Sequence, residues 1–163
     1  MLHNGSIVET PTMRSAEIYL ETNVETEMKL EKIWVDQFTT PLCEMVNSPW
    51  LSSAFDSVVS IIVLIDGVSF TPVSIANFLQ SLFSNKVFLA NPVPILLAVN
   101  KSDNKRVIHN AVVYDEVEKE LGKILCLEDF SFKDYSPCTI YACNCSILSN
   151  SFSNVVEFMH CSF

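Results

Sequence analysis

The chain has 163 residues, 49% of them hydrophobic and 18% charged, and a formal net charge of −9. That length and apolar content suffice for one packed domain spanning residues 1–163 and exclude a disordered chain. The acidic balance disfavours a nucleic-acid or anionic-lipid surface, and no apolar run reaches the ~18–20 residues of a membrane span.

Residues 1–15 show no periodicity and no basic region ahead of an apolar core, so they read as loop and not as a secretory leader. Ala16, Ile18 and Leu20 alternate with polar neighbours, which predicts a half-buried strand near a sheet edge. Residues 23–27 form an acidic hairpin connection to a second strand, about 29–36, that ends in Asp36. A loop leads to a helix over 42–46, broken at Asn47-Ser48-Pro49, with a short continuation through Trp50 and Phe55. Residues 58–65 are a continuous apolar run rich in β-branched residues, the pattern of a parallel strand covered on both faces. Asp66-Gly67 ends it. Thr71-Pro72 starts a helix whose Ile75, Phe78, Leu79, Leu82 and Phe83 share one face. Another strand covers 93–99. Val113, Val117, Leu121, Ile124 and Leu125 make a helical stripe, with Glu116–Glu120 on a solvated face. A last strand runs over 139–145, and Phe152, Val155, Val156 and Met159 mark a closing helix. This β-β-α-β-α-β-α-β-α order implies a mostly parallel sheet with helices on both faces.

The strand over 93–99 runs directly into Asn100-Lys101-Ser102-Asp103, the Asn-Lys-x-Asp signature of guanine recognition. Guanine offers N1–H and an exocyclic amine; the Asp103 carboxylate can accept from both, whereas adenine presents no such pair. Asn100 can hold the loop and approach N7, and the Lys101 methylenes can lie along the base. The wrong base leaves buried polar groups unpaired, at ~1–3 kcal/mol per group. The motif stands where open α/β sheets bind ligands, at a strand's carboxyl end.

Other constellations are weaker. Cys138, Cys143 and Cys145 lack the paired C-x₂-C spacing of zinc sites, so strand packing by reduced thiols is the better reading. His3, His109 and His160 fall in no metal-binding pattern and read as surface or terminal residues.

Several stretches together resemble the signal recognition particle receptor beta subunit, a branch of the Ras/Arf-like small GTPase superfamily. They are Trp34-Val35-Asp36 at a strand end, Ser60–Asp66 followed by Ser69-Phe70, and Ala98-Val99 leading into Asn100–Asp103. Glu116–Leu121 and Phe130-Ser131-Phe132 ahead of Cys145-Ser146 add to them. The resemblance covers about residues 6–160. It implies a P-loop GTPase-like three-layer α/β sandwich. It further implies GTP with Mg²⁺ as cofactor, and attachment of the receptor's alpha subunit at the cytosolic face of the endoplasmic reticulum.

Residue by residue, the resemblance makes Asn100, Lys101 and Asp103 the base-reading set, and Cys145-Ser146 the second base-contacting loop, although Ile147 follows where an Ala-type continuation is usual. Asp36 matches the acid of the Asp-x-x-Gly motif that reaches magnesium through water. Thr39 replaces that motif's Gly and Phe38 its preceding Pro, so a Cβ and a restricted φ stand where backbone should approach the γ-phosphate. Ser6 falls near the magnesium-ligating Thr of the first switch. The alpha-subunit contact would use residues 6–7 and 36–41.

No Gly-x-x-x-x-Gly-Lys-Ser/Thr occurs; the three glycines stand at 5, 67 and 122. A phosphate cradle needs consecutive backbone N–H groups and a lysine at a helix N-terminus. The expected first strand, P-loop, first helix and membrane anchor would all precede residue 1. The chain is therefore expected to bind GTP weakly at best and not to hydrolyse it. Two other readings stay open: an active Ras/Arf-like small GTPase recorded without its N-terminal part, and a pseudo-GTPase scaffold.

Overall fold

A computed structural model describes the backbone of residues 14–24 and 27–37, and residues 58–161. Two 11-residue strands, β1 (Arg14–Val24) and β2 (Glu27–Gln37), pair antiparallel from Arg14↔Gln37 to Val24↔Glu27. The ladder runs further toward the turn than the alternation suggests, so only positions 25–26 connect the strands. The expected helix over 42–46 and its continuation to Phe55 lie outside the described residues.

A second sheet has the order β3-β4-β5, with β3 at Ile61–Asp66, β4 at Ile95–Asn100 and β5 at Ile140–Asn144. Both ladders are parallel, Ile61↔Ile95 to Asp66↔Asn100 and Ile95↔Ile140 to Val99↔Asn144. All three strands therefore finish at one rim, the place where a crevice forms in α/β sheets. Among the described residues no ladder joins β1–β2 to this sheet.

One face of the sheet is closed by α1 (Pro72–Phe83) and α3 (Asn110–Ile124). Thr71 is the N-cap of α1 and Pro72 follows at the first helical position, where its missing N–H costs nothing. Ile75, Phe78, Leu79 and Leu82 are buried as their spacing predicts, against Val63, Ile65, Ile95, Leu97 and Val99. Val113, Val117 and Leu121 of α3 complete the cluster. Full burial of each such side chain is worth ~1.5–3 kcal/mol.

Two short helices escape periodicity because each is about one turn long. In α2 (Lys86–Ala90), the Asn85 side chain accepts from the N–H groups of Val87 and Phe88 at 2.9 and 3.3 Å. In α4 (Phe132–Tyr135), Ser131 accepts from Lys133 N–H, and Glu118 Oε1 accepts from Phe132 N–H at 2.6 Å. Glu118 thus ties α3 to α4, so the 116–120 face is not purely solvated as the sequence suggests. Phe132 then sits edge-on to Tyr114 and Phe130.

Among the described residues, the other face carries α5 (Ser153–Cys161) alone. Its Phe158 packs with Leu96, Ala98, Cys143 and Cys145, edge-on to Tyr141. This helix lies over β4 and β5. On β3, Val63 and Ile65 are buried but Ile62 and Leu64 are 38% and 59% exposed. The run over 58–65 is therefore covered on one face only, because β3 is the flank of the sheet and the helix of that face is two strands wide.

Candidate functional site

The rim at the carboxyl ends of β3, β4 and β5 brings together Asn100, Lys101, Asp103, Cys145 and Ser146. β4 ends at Asn100, and Lys101 immediately adopts φ +67°. That left-handed turn costs a non-glycine residue ~1–2 kcal/mol. Hydrogen bonds hold it: Asn104 N–H donates to Lys101 C=O at 2.8 Å, and Ser102 N–H to Cys145 C=O at 3.0 Å. Cys145 N–H in turn donates to Val99 C=O at 2.8 Å. The two loops are thus backbone-stitched, which no spacing rule could reveal.

Side chains complete the join. The fully buried Ser146 hydroxyl donates to Asp103 Oδ1 and accepts from Ser149 N–H at 3.1 Å. Asp103 is exposed, and its second carboxylate oxygen faces no partner among the described residues. Asn100 Oδ1 accepts from Ile147 N–H at 3.3 Å, so this amide holds the second loop. The arrangement can present one fixed carboxylate oxygen to paired N–H donors, which fits the guanine edge. Ser146 also ends an Asn-x-Ser pattern, but Asn144 is engaged with Asn110 in reciprocal hydrogen bonds, at 3.0 Å to its N–H and 3.1 Å to its amide. Asn110 Nδ2 donates to Ala142 C=O at 2.8 Å as well, fixing the start of α3 against β5.

Lys101 does not extend freely. Its ammonium lies 2.7 Å from Asp66 Oδ2 at the end of β3. The lysine, then the Val68 N–H and the Ser69 hydroxyl, hold the Asp66 carboxyl down at about 2. Gly67, the next residue, approaches so closely that a Cβ there would meet Val107 Cγ2 at 2.4 Å and Asn100 O at 2.9 Å. Asp66-Gly67 is the strand-ending turn that the sequence predicts, and also the third side of the rim.

Asp36 pairs with Ser15 in the β1–β2 ladder, and no hydrogen bond among the described residues links it to this rim; Ser6 and residues 38–41 lie outside the described residues. Cys143 and Cys145 are buried, and burial pushes their thiols up, Cys143 to about 11. Cys126 and Cys161 are exposed, so not every thiol packs inward. His109 caps α3, its Nδ1 accepting from Ala111 N–H at 3.3 Å. Among the described residues no group of three His, Cys, Asp or Glu could hold a metal, and no helix is long and apolar enough to cross a membrane.

No family model matches the sequence, and none of the curated proteins matches it. Solved structures do. The mammalian signal recognition particle receptor superposes with a TM-score of 0.70 at 14% identity, covering 94% of this chain and 85% of the other. The receptor's SRb-GTP/SRX complex from Chaetomium thermophilum gives 0.62 at 16% identity, over 84% of this chain and 72% of the other. SRb-GDP from the same organism gives 0.52 at 17%, over 64% and 61%. The mixed α/β architecture with its three-stranded parallel sheet is thus the GTPase-like fold of those structures.

Proposed function

We propose that the chain is a GTPase-like beta subunit of a signal recognition particle receptor, engaging the receptor's alpha subunit at the cytosolic face of the endoplasmic reticulum. In this reading it is a binding protein that supports cotranslational targeting, not a hydrolase. The observation that carries it is the rim: Asp103, fixed by buried Ser146, beside Asn100 and Lys101 at the carboxyl end of β4. The match of fold to receptor structures that include SRb bound to GTP or GDP supports the same reading.

Guanine nucleotide is the ligand this chemistry suits. The free oxygen of Asp103 would accept from the base, Asn100 would hold the loop, and the Lys101 stem would flank the ring. These 163 residues include no glycine-rich cradle for a triphosphate with Mg²⁺, so within them nucleotide affinity would rest on the base. Asp36 and Ser6 as magnesium-side residues, and residues 6–7 and 36–41 as the alpha-subunit surface, belong to the same proposal.

Titration of the full chain with GTP and ATP, followed by amide NMR shifts, tests it. Weak binding that favours GTP and moves residues 100–103 and 145–147 is expected. Sub-micromolar GTP affinity or Mg²⁺-dependent hydrolysis would overturn the weak-binding claim; equal response to ATP would overturn the base site. Capture of purified alpha subunit by the full chain tests the partner separately, and failure to capture removes the receptor role.

A further inference from the structure

The charge pair at the rim has no role in the base chemistry just described. Lys101 and Asp66 stand 35 positions apart in sequence, at the ends of adjacent strands, with their charged atoms 2.7 Å apart. Stability does not account for the pair: the two side chains are 47% and 41% exposed, and such pairs contribute little. Its geometry is nevertheless set from both sides. Asp66 Oδ1 accepts from Val68 N–H at 3.0 Å, and Gly67 N–H donates to Asn100 C=O at 3.3 Å, docking the β3 turn on the base loop. Ile108 N–H donates to Gly67 C=O at 2.9 Å from the far side of that loop. At the other end the Lys101 backbone is fixed in its left-handed turn. The only part left to wander is the four-carbon stem between a fixed backbone and a fixed carboxylate. A lysine released from its partner would spread over many rotamers.

We propose that Asp66 is a positioning residue of the rim. It holds the Lys101 ammonium so that the methylene stem stands as one wall of the base pocket before any ligand arrives. The proposal rests on the base-reading role given to residues 100–103 above. In this arrangement Asp66 never touches the ligand. It removes the entropy cost of ordering the lysine on binding, the general benefit of preorganisation. It also balances the ammonium, so the rim selects by the base edge and not by attraction of any anion.

The second point sets the test. Asp66→Asn leaves an unbalanced ammonium, which by charge alone would tighten every nucleotide. GMP and AMP carry the same phosphate charge, so GMP and AMP titrations of the full chain by NMR separate positioning from attraction. D66N is expected to weaken GMP roughly three- to tenfold, with AMP unchanged or slightly tighter. Asp66→Glu should restore most of the GMP affinity. Lys101→Met should lose as much as D66N, and the double variant should lose no more than either single change. The thermal midpoint of D66N should stay within about 2 °C of the parent. GMP binding by D66N as tight as, or tighter than, the parent's would overturn the proposal, as would fully additive losses in the double variant. If the unsubstituted chain itself fails to prefer GMP over AMP, the base-reading role falls and the role of Asp66 with it. A preference present in the parent and intact in D66N removes Asp66 alone. Should D66N not fold, D66E and K101M still decide: D66E keeps a carboxylate for the ammonium and K101M removes the ammonium, so a D66E that loses as much GMP affinity as K101M overturns the proposal.

Discussion

The two faces of the three-stranded sheet are built from similar residues and end up differently. One is closed by α1 and α3 and holds Val63, Ile65, Leu97 and Val99 at 4% exposure or less. Among the described residues the other has α5 alone, with Phe158 as its largest buried ring, and leaves Ile62 and Leu64 open. The strand sequence does not set this difference, since β3 is apolar at every position from Ile61 to Ile65. The number of helices that reach each strand does. The rim is the part that both faces share, with Cys145 packed on the thin side and Gly67 close to Val107 on the closed one.

Removing a ring from each face should show the asymmetry most strongly. Phe78→Ala, on the closed face, should cost ~3–5 kcal/mol in urea melts, while Phe158→Ala, on a helix that can settle onto the sheet, should fall near the bottom of that range. Equal losses would mean that α5 is packed as firmly as α1. Next in size is Gly67→Ala. Its Cβ would have to displace Asn100 backbone as well as Val107, so a cost of ~1–3 kcal/mol is expected, together with shifted amide signals at residues 100–103. A shift confined to residues 61–68 would show that the rim is less tightly joined to β3 than its contacts indicate. Leu64→Thr should change the unfolding free energy by less than ~0.5 kcal/mol. It should also lower aggregation, because it blunts an apolar flank; a large loss of stability would show that this side chain is covered.

The smallest effect lies in acid. The Asp66 carboxyl is depressed from 3.8 to about 2, chiefly by the Lys101 ammonium. A lowered folded-state value means that its stabilisation is present above about pH 4 and is lost as pH falls toward 2. Melts of the parent and D66N should therefore differ above pH 4 by no more than the ~2 °C already expected and converge near pH 2.

Much of this was readable in advance where one local rule dominates. The α1 stripe, Pro72 at its first position, the α3 stripe and the parallel strands follow from periodicity and β-branching. Asn100–Asp103 was visible because its chemistry is contiguous, whereas Cys145-Ser146 came only through the family resemblance. What escaped has a common cause. The Lys101–Asp66 pair, the Asn110–Asn144 lock and the Glu118 link to Phe132 each join residues distant in sequence but close in space. The two short helices carry a cap and no full period. The open side of β3 was hidden because a uniformly apolar strand does not announce which face will lack a cover.

The registers of the two sheets also bear on the order in which the molecule assembles. β1 and β2 close over two connecting positions, a local event on the scale of microseconds. Ile61 must find Ile95, and Ile95 must find Ile140, across whole intervening helices, and such distant pairings are intrinsically slow. On a ribosome the hairpin would be complete while β5 was still unsynthesised, and Ser146 would reach Asp103 only after α3 had docked. The rim would be among the last features to mature, complete only when nearly all of the chain had emerged.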